Sequence, residues 1–218
     1  MTSPGILRFC AAGLAAAVAL AIGSTALADE PEHASPFGYP VTALNAPATF
    51  AEPPAAYVQL GRERLALGKS ELEAAAERWG AARLREGSGL FERDYACFAG
   101  TENGRPVILW LISSDLKTIT EAQIERAEGE SPKHCGKLAL KDLPVRLGRV
   151  GVDMTQKEAA EAAGVPSYND GFGWEFWFSQ RFLKRADGLQ ELELDWLGVE
   201  FKEGRAVRAF ASLVKNPS

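Results

Sequence analysis

The sequence predicts the same order of structural elements twice. One helix is predicted from Ser70 to Gly80 and another from Thr155 to Gly164. Each begins with a hydroxyl residue followed three positions later by glutamate, the pattern of a capping box, and each stops at glycine. The two stretches lie about 85 residues apart, and such recurrence is typical of a repeated structural unit.

A series of strands follows each predicted helix. A tight turn at Asn103-Gly104 joins the first two strands of the first series, and one at Glu203-Gly204 joins the last two strands of the second. In the first series the final segment could instead be a short helix capped by Thr120. The predicted strands are 90–98, 106–113 and 117–126 in the first half and 174–178, 191–201 and 205–214 in the second.

These patterns predict an α+β fold made of two tandem helix-plus-antiparallel-sheet units. We place the first unit at residues 57–144 and the second at 145–218. Before them come a predicted signal peptide, residues 1–28, and a Pro-rich tail, residues 29–56.

The first 28 residues have the features of a secretory signal. Arg8 precedes an apolar run, and Ala26-Leu27-Ala28 fits an A-x-A cleavage site. The alternative is an uncleaved anchor, because the apolar run is nearly long enough to span a bilayer. Cys10 lacks the preceding residues of a lipidation site, so no lipid anchor is expected. We therefore predict a periplasmic or secreted protein.

Residues 29–56 hold six of the twelve prolines. Proline fixes φ and removes a hydrogen-bond donor, so this segment is predicted to be an extended, solvated tail. A short docking motif around Phe37-Gly38-Tyr39 is the alternative.

Two cysteines, Cys97 and Cys135, remain after the predicted cleavage. An even count in an exported chain predicts a disulfide between them. A catalytic Cys97 would need His134 next to it in space, and a zinc site would need three or four ligands. We expect neither a metal nor another cofactor.

The formal net charge of the chain is −5, and no basic run is present. Nucleic acid and anionic membranes are bound by clustered cations, so we expect neither as a partner. The sequence contains no recognised catalytic motif.

Strand parity predicts which side chains share a face of the second sheet, because alternate residues of a strand point to opposite sides. We expect the helix to cover the set that begins with Trp174, and a β-bulge at Leu197-Gly198 to correct the phase of the middle strand. The full set is Trp174, Phe176, Phe178, Leu192, Leu194, Trp196, Val207, Ala209, Ala211 and Leu213.

The opposite face is the predicted partner site. Exposed aromatic residues with arginine are typical of interaction surfaces, and here they frame two acidic side chains. The predicted partner-binding residues are Trp177, Arg208, Phe210, Glu193 and Asp195. The alternative is that the N-terminal half packs on this face.

The leading functional hypothesis is an exported, non-enzymatic module that binds a periplasmic or envelope protein, or a structural component of the envelope. A second hypothesis is a hydrolase of envelope carbohydrate or peptide that uses Glu193 and Asp195. Their i, i+2 spacing places both on one strand face, roughly 6–7 Å apart, near the separation that glycoside hydrolysis uses.

The C-terminal half resembles a known family. The runs "GVDMTQKEAAEAAGVPS" and "VEFKEGRAVRAF" resemble the small periplasmic α+β domain of the SmpA/OmlA outer-membrane proteins. The matching positions are Met154-Thr155, Gly164-Val165-Pro166 and the run from Phe201 to Val207. The chain departs from these lipoproteins in having no lipobox.

The tandem arrangement is similar to that of the β-lactamase inhibitor proteins. In those proteins two helix-plus-sheet units form one exported chain, and a partner binds the sheet face away from the helices. The resemblance therefore implies the same face as the binding surface here. Those inhibitors have a disulfide in each unit, whereas this chain has two cysteines after the predicted signal.

Overall fold

A computed structural model describes residues 35–129 and 131–217. The predicted signal peptide and the first residues of the Pro-rich tail lie outside these ranges. The described chain is mainly antiparallel sheet with two α-helices, which agrees with the predicted α+β class. No helix in the described ranges is both long and apolar enough to cross a membrane.

Twelve strands and two α-helices make up the described fold, together with three 3-10 helices, of which the first is Val41–Asn45. The helices are α1 (Leu72–Trp79) and α2 (Gln156–Ala163). The strands are β1 (Tyr57–Leu60), β2 (Glu63–Ala66), β3 (Arg83–Glu86), β4 (Arg93–Glu102), β5 (Arg105–Ser113), β6 (Glu121–Arg126), β7 (Gly136–Lys137), β8 (Val145–Leu147), β9 (Tyr168–Asn169), β10 (Trp174–Lys184), β11 (Gln190–Lys202) and β12 (Arg205–Pro217).

Nine of these strands form one sheet in the order β3-β4-β5-β6-β12-β11-β10-β9, with β7 pairing in parallel to β4. Each half of the chain supplies a helix, a short strand and a three-stranded meander. The two meanders meet where β6 pairs with β12, antiparallel, from Arg208 opposite Glu125 to Ser212 opposite Glu121. The sheet is therefore continuous across both halves.

One face of this sheet, which we call the inner face, is covered by α1, α2 and a small sheet of order β2-β1-β8. The inner-face core is apolar and includes side chains from all of these elements. Strand β8 belongs to the predicted second unit, yet it pairs with β1 of the first. The boundary proposed between residues 144 and 145 therefore crosses a paired sheet, and it stays a prediction.

The opposite, outer face also carries apolar side chains, and part of the Pro-rich tail covers them. Phe37 and Tyr39 pack with Ala43 and Ala46 against an aromatic cluster of β10 and β12. The described part of the tail is therefore not a solvated spacer, and Phe37 and Tyr39 pack against the sheet of their own chain. Proline did exclude regular strand here, but it did not exclude packing.

The helix ends were predicted with one error. Thr155 and Glu158 form the expected capping box of α2, and α1 stops at Gly80 in the left-handed conformation. The capping box at Ser70 is wrong, because Glu71 is the N-cap residue of α1. The Ser70 hydroxyl instead accepts a hydrogen bond from the Ala66 amide at 2.9 Å.

The predicted turns and strand types agree with the structure, including a strand at Glu121–Arg126 rather than a short helix. Asn103 and Glu203 both adopt positive φ at their hairpin turns. The predicted β-bulge at Leu197-Gly198 is wrong, since the pairing of β11 with β12 is regular there and shifts between Glu200 and Phe201.

The face assignment of the second meander is also wrong in part. Trp174, Phe176 and Phe178 lie on the outer face, and so do Leu194 and Trp196. The inner face of β11 carries Leu197, Val199 and Phe201, opposite the inner residues Ala209 and Ala211 of β12. Parity groups the residues correctly within each strand, but β12 was assigned out of phase with β10 and β11. Because both faces are apolar, parity does not say which of them meets the helices.

We expect Gly164→Ala to lower the free energy of unfolding by about 1–3 kcal/mol, because only glycine readily adopts this backbone conformation. Gly164 follows α2 with φ 89° and ψ 176°, and an added Cβ would lie 3.2 Å from the Phe50 ring. The control is Gly38→Ala, where an added Cβ meets nothing within 4 Å. Urea unfolding that gave equal stabilities for the two variants would contradict this account of the helix end.

Candidate partner-binding face

The five residues predicted to form one partner-binding face lie on both sides of the sheet. Trp177, Glu193 and Asp195 are on the inner face, and Arg208 and Phe210 are on the outer face. The first three were grouped correctly with one another, but β12 was placed out of phase with β11. The predicted acidic strip framed by two exposed aromatics therefore does not form.

Trp177 is fully buried in the inner-face core, which corrects its prediction as an exposed anchor. Its indole Nε1 donates a hydrogen bond to the Gly164 carbonyl at 2.6 Å. This bond satisfies one carbonyl just past the end of α2 and ties the helix end to β10. A fully buried indole contributes to the packing of the core, because aromatic side chains dominate core energetics.

Glu193 and Asp195 are also buried, near the end of the inner face beyond the apolar core. Glu193 accepts a hydrogen bond from Arg181 Nε at 2.6 Å and lies 3.3 Å from Lys215 Nζ. Asp195 accepts a bond from the Ser179 hydroxyl at 3.3 Å. The pair thus belongs to an ion network with two partly exposed cations. The burial of both carboxylates does not favour the hydrolase hypothesis.

Burial raises the pKa of Asp195 to about 7, and the neighbouring Glu193 carboxylate adds to the rise. Arg181 and Lys215 and the bond from Ser179 act in the opposite direction. One carboxylate oxygen, Oδ1, has no hydrogen-bond partner among the described residues. The Asp195 carboxylate is poorly solvated and only partly paired, so protonation of this group is favoured.

On the outer face, Phe210 lies at the centre of an aromatic cluster. Its ring is 4.4 Å from that of Tyr39 and 5.9 Å from that of Trp174. Gly198 faces it on β11, and a Cβ at this position would collide with the ring. Phe210 is therefore buried by the tail rather than exposed to a partner, which corrects its prediction.

Arg208 keeps the partly exposed position expected of it. Its guanidinium lies 3.3 Å from a Glu125 carboxylate oxygen and 3.8 Å from one of Glu200. The same group lies over the Phe37 ring at 5.5 Å. Arg208 thus holds the start of the tail segment to the sheet.

Polar bonds fix the rest of this tail segment, residues 35–50, across the outer face. The Tyr39 hydroxyl donates a hydrogen bond to Glu121. Burial, and to a smaller extent the Glu121 carboxylate, raises the pKa of Tyr39 well above its ordinary value. Gln123 Nε2 donates to the Phe37 carbonyl at 2.9 Å. The Thr42 hydroxyl donates to Asp170 at 2.9 Å.

The tail segment leaves part of the outer face uncovered. The apolar side chains there, together with two exposed ones of the segment itself, form a surface that we call the apolar strip. A groove of about 420 Å³ between the segment and β12 belongs to it. Four of its side chains are exposed: Val41 by 83%, Leu44 by 80%, Phe182 by 59% and Val214 by 38%. The strip consists of Val41, Leu44, Phe182, Leu192, Leu194, Trp196 and Val214.

Cross-strand pairing explains why the strip is continuous. Phe182 is paired with Leu192 across β10 and β11, and Leu194 with Val214 across β11 and β12. Trp196 stacks on Phe178 with ring centroids 4.4 Å apart. Side chains paired in this way are close neighbours on one sheet face.

Sequence reasoning missed most of the strip. The signal that was present is the alternation of Leu192, Leu194 and Trp196 along β11. These three residues were assigned to the helix-covered face. Val41 and Leu44 had no such signal, because they lie in an irregular segment that has no fixed period.

The predicted disulfide between Cys97 and Cys135 is present. Cys97 is buried on the outer face of β4, and Cys135 directly precedes β7. Among the described residues, one group of potential metal ligands comes close together, and it is this pair with His134.

Comparisons with family models, with curated protein sequences and with solved structures found no match to this chain.

We expect the contribution of Asp195 to the free energy of unfolding to fall as pH rises from about 4 to about 7, because folded Asp195 keeps over this range a proton that the unfolded chain has released. Asp195→Asn removes this titration. Between pH 4 and pH 8 the unsubstituted protein should therefore lose on the order of 2 kcal/mol of unfolding free energy relative to Asp195→Asn.

The measurement is urea unfolding at intervals across that pH range. Asp187→Asn, in the exposed turn of the same hairpin, is the matched control and should follow the parent profile. Parallel profiles for the parent and Asp195→Asn would show that Asp195 does not take up a proton on folding.

Proposed function

We propose that the protein is an exported interaction module that binds a protein partner through the apolar strip. The observation that supports this is a contiguous apolar surface, which lies exposed beside the groove between the tail segment and β12. Contiguous exposed apolar patches on soluble proteins are costly and mark interaction sites. The partner expected is a periplasmic or envelope protein with apolar side chains of its own.

The composition of the strip suits a partner protein with an apolar surface better than a highly charged partner. Its centre is Trp196 with Leu194, and Phe182 and Val214 lie beside them. Aromatic and aliphatic side chains at the centre of a patch, with charges at its edge, are typical of protein interfaces. Lys184 and Arg185 in the β10–β11 hairpin supply such charges.

The proposal keeps the sheet face that the resemblance implies but changes its residues. The predicted anchors Trp177 and Phe210 are replaced by Trp196, Leu44 and Val214. The face remains the one away from the helices, as in the β-lactamase inhibitor proteins. Nothing in the comparisons supports that resemblance, so it rests on the quoted motifs alone.

We also propose that the fold is a tandem pair of related units. Its support is the repeated order of helix, short strand and three-stranded meander, with the meanders meeting at β6 and β12. Export is part of the same proposal, and it is supported by the A-x-A pattern at Ala26–Ala28 and by the disulfide.

Site-specific photo-crosslinking in cells tests the binding surface. A photoreactive side chain at Leu44 or at Val214 should give the same adduct with one envelope protein, because both positions border the groove. The matched control is Lys157, which is exposed on α2 on the other side of the sheet.

Leu44→Asp should abolish the adduct formed from position 214 while it changes the free energy of unfolding by no more than about 0.5 kcal/mol. An adduct of equal yield from Lys157, or one that persists in Leu44→Asp, would show that the partner binds elsewhere. If adducts form only between copies of this chain, the strip mediates self-association, and the proposed partner protein is wrong.

A further inference from the structure

Three potential metal ligands converge at the disulfide. Sγ of Cys97, Sγ of Cys135 and a ring nitrogen of His134 all lie within 4.8 Å of one another. Cys97 lies 38 positions before Cys135, whereas His134 directly precedes Cys135 in the sequence. The fold itself therefore brings this set together.

The backbone holds the set in place independently of the S–S bond. Strand β7 pairs with β4 directly beside the cysteines, with Gly136 opposite Phe98. The Leu138 amide donates to the Ala99 carbonyl at 2.8 Å, and the His134 carbonyl accepts from the Ala82 amide at 3.4 Å. Reduction breaks none of these bonds, so we expect the three side chains to stay close together.

The neighbourhood also provides both a wall and an entrance. The Trp110 ring lies 6.3 Å from the His134 ring, and its Nε1 is anchored by a hydrogen bond to Glu125 at 3.1 Å. On the other side, an open cavity of about 440 Å³ is lined in part by Cys135, Pro132 and Lys133. A small ion would reach the sulfurs from this cavity.

We propose that the reduced form of the protein binds one thiophilic divalent cation of the zinc type through Cys97, His134 and Cys135. Two thiolates and one imidazole are a common zinc donor set, and a water completes the tetrahedron. The two sulfurs need to be only about 3.7 Å apart when each binds zinc at about 2.3 Å. Rotation of the cysteine side chains supplies this separation.

The disulfide then acts as a switch on the site. A dithiol reductant breaks the S–S bond and transfers two electrons and two protons to the sulfurs, becoming a disulfide itself. The cation displaces the two thiol protons, and both sulfurs coordinate as thiolates. A disulfide oxidant reverses the sequence: it takes two electrons from the thiolates and is reduced to a dithiol, the S–S bond forms again and the ion is released. Cation binding therefore reports the redox state.

The test uses the full chain carrying Cys10→Ser, so that two cysteines remain. A water-soluble phosphine reduces the protein without air: the S–S bond breaks, and the phosphine takes an oxygen from water and becomes its oxide. Cobalt(II) is then added as the probe, because thiolate-to-cobalt charge transfer gives an absorption band. Zinc is added last and should displace it.

The reduced protein should bind one cobalt ion, and the oxidised protein should bind none. His134→Ala should weaken the affinity at least tenfold, whereas His33→Ala, the change at the other histidine, should leave it unaltered. Equal binding by the oxidised chain, equal affinity in His134→Ala, or no binding by the reduced chain would each overturn the proposal.

Circular dichroism covers the case in which reduction or substitution unfolds the chain. If the reduced parent unfolds, stoichiometric zinc must restore the folded spectrum of the parent and must fail to restore that of His134→Ala. Zinc that restores neither spectrum, or both equally, overturns the proposal.

Discussion

The pairing of β6 with β12 is the constraint on which the rest of this structure depends. It joins two meanders into one sheet, and that sheet is apolar on both faces. A sheet of this kind cannot leave either face in water without a large hydrophobic cost. The helices and the small sheet cover the inner face, and the outer face must be covered by another part of the chain.

The tail segment meets that need only in part. It covers the aromatic cluster around Phe210, where its own Phe37 and Tyr39 complete the packing. Strands β10 to β12 extend beyond this cluster, and their outer side chains form the apolar strip together with Val41 and Leu44 of the segment. The proposed interaction surface is thus the remainder of a face that the chain itself covers incompletely.

The sequence allowed the element order to be predicted because its signals are local. Thr155 with Glu158, Gly80, and the two hairpin turns depend on side chains within a few residues of each other. The choice of face in the second meander is not local. Trp177 and Phe176 are neighbours with equally apolar character, and only the position of α2 and of residues 35–50 decides which of them meets the helices.

The candidate site was harder to predict than the fold for the same reason. Glu193 and Asp195 have the spacing of a solvated strand face, and their burial follows from Arg181, Ser179 and Lys215 on the two neighbouring strands. Val41 and Leu44 lie in a segment without a period, so no pattern marked them. The cysteines were different, since their pairing follows from their number and the expected compartment.

The long-range contacts of the tail segment also affect the order in which parts of the chain fold. Thr42 is 128 positions from its partner Asp170, and Glu52, just after the segment, is 129 positions from Arg181. Contacts of such long sequence separation form late, because a long loop must be closed before they are gained. The part of the described chain that is synthesised first therefore finds its place last, after the C-terminal strands on which it rests have been made.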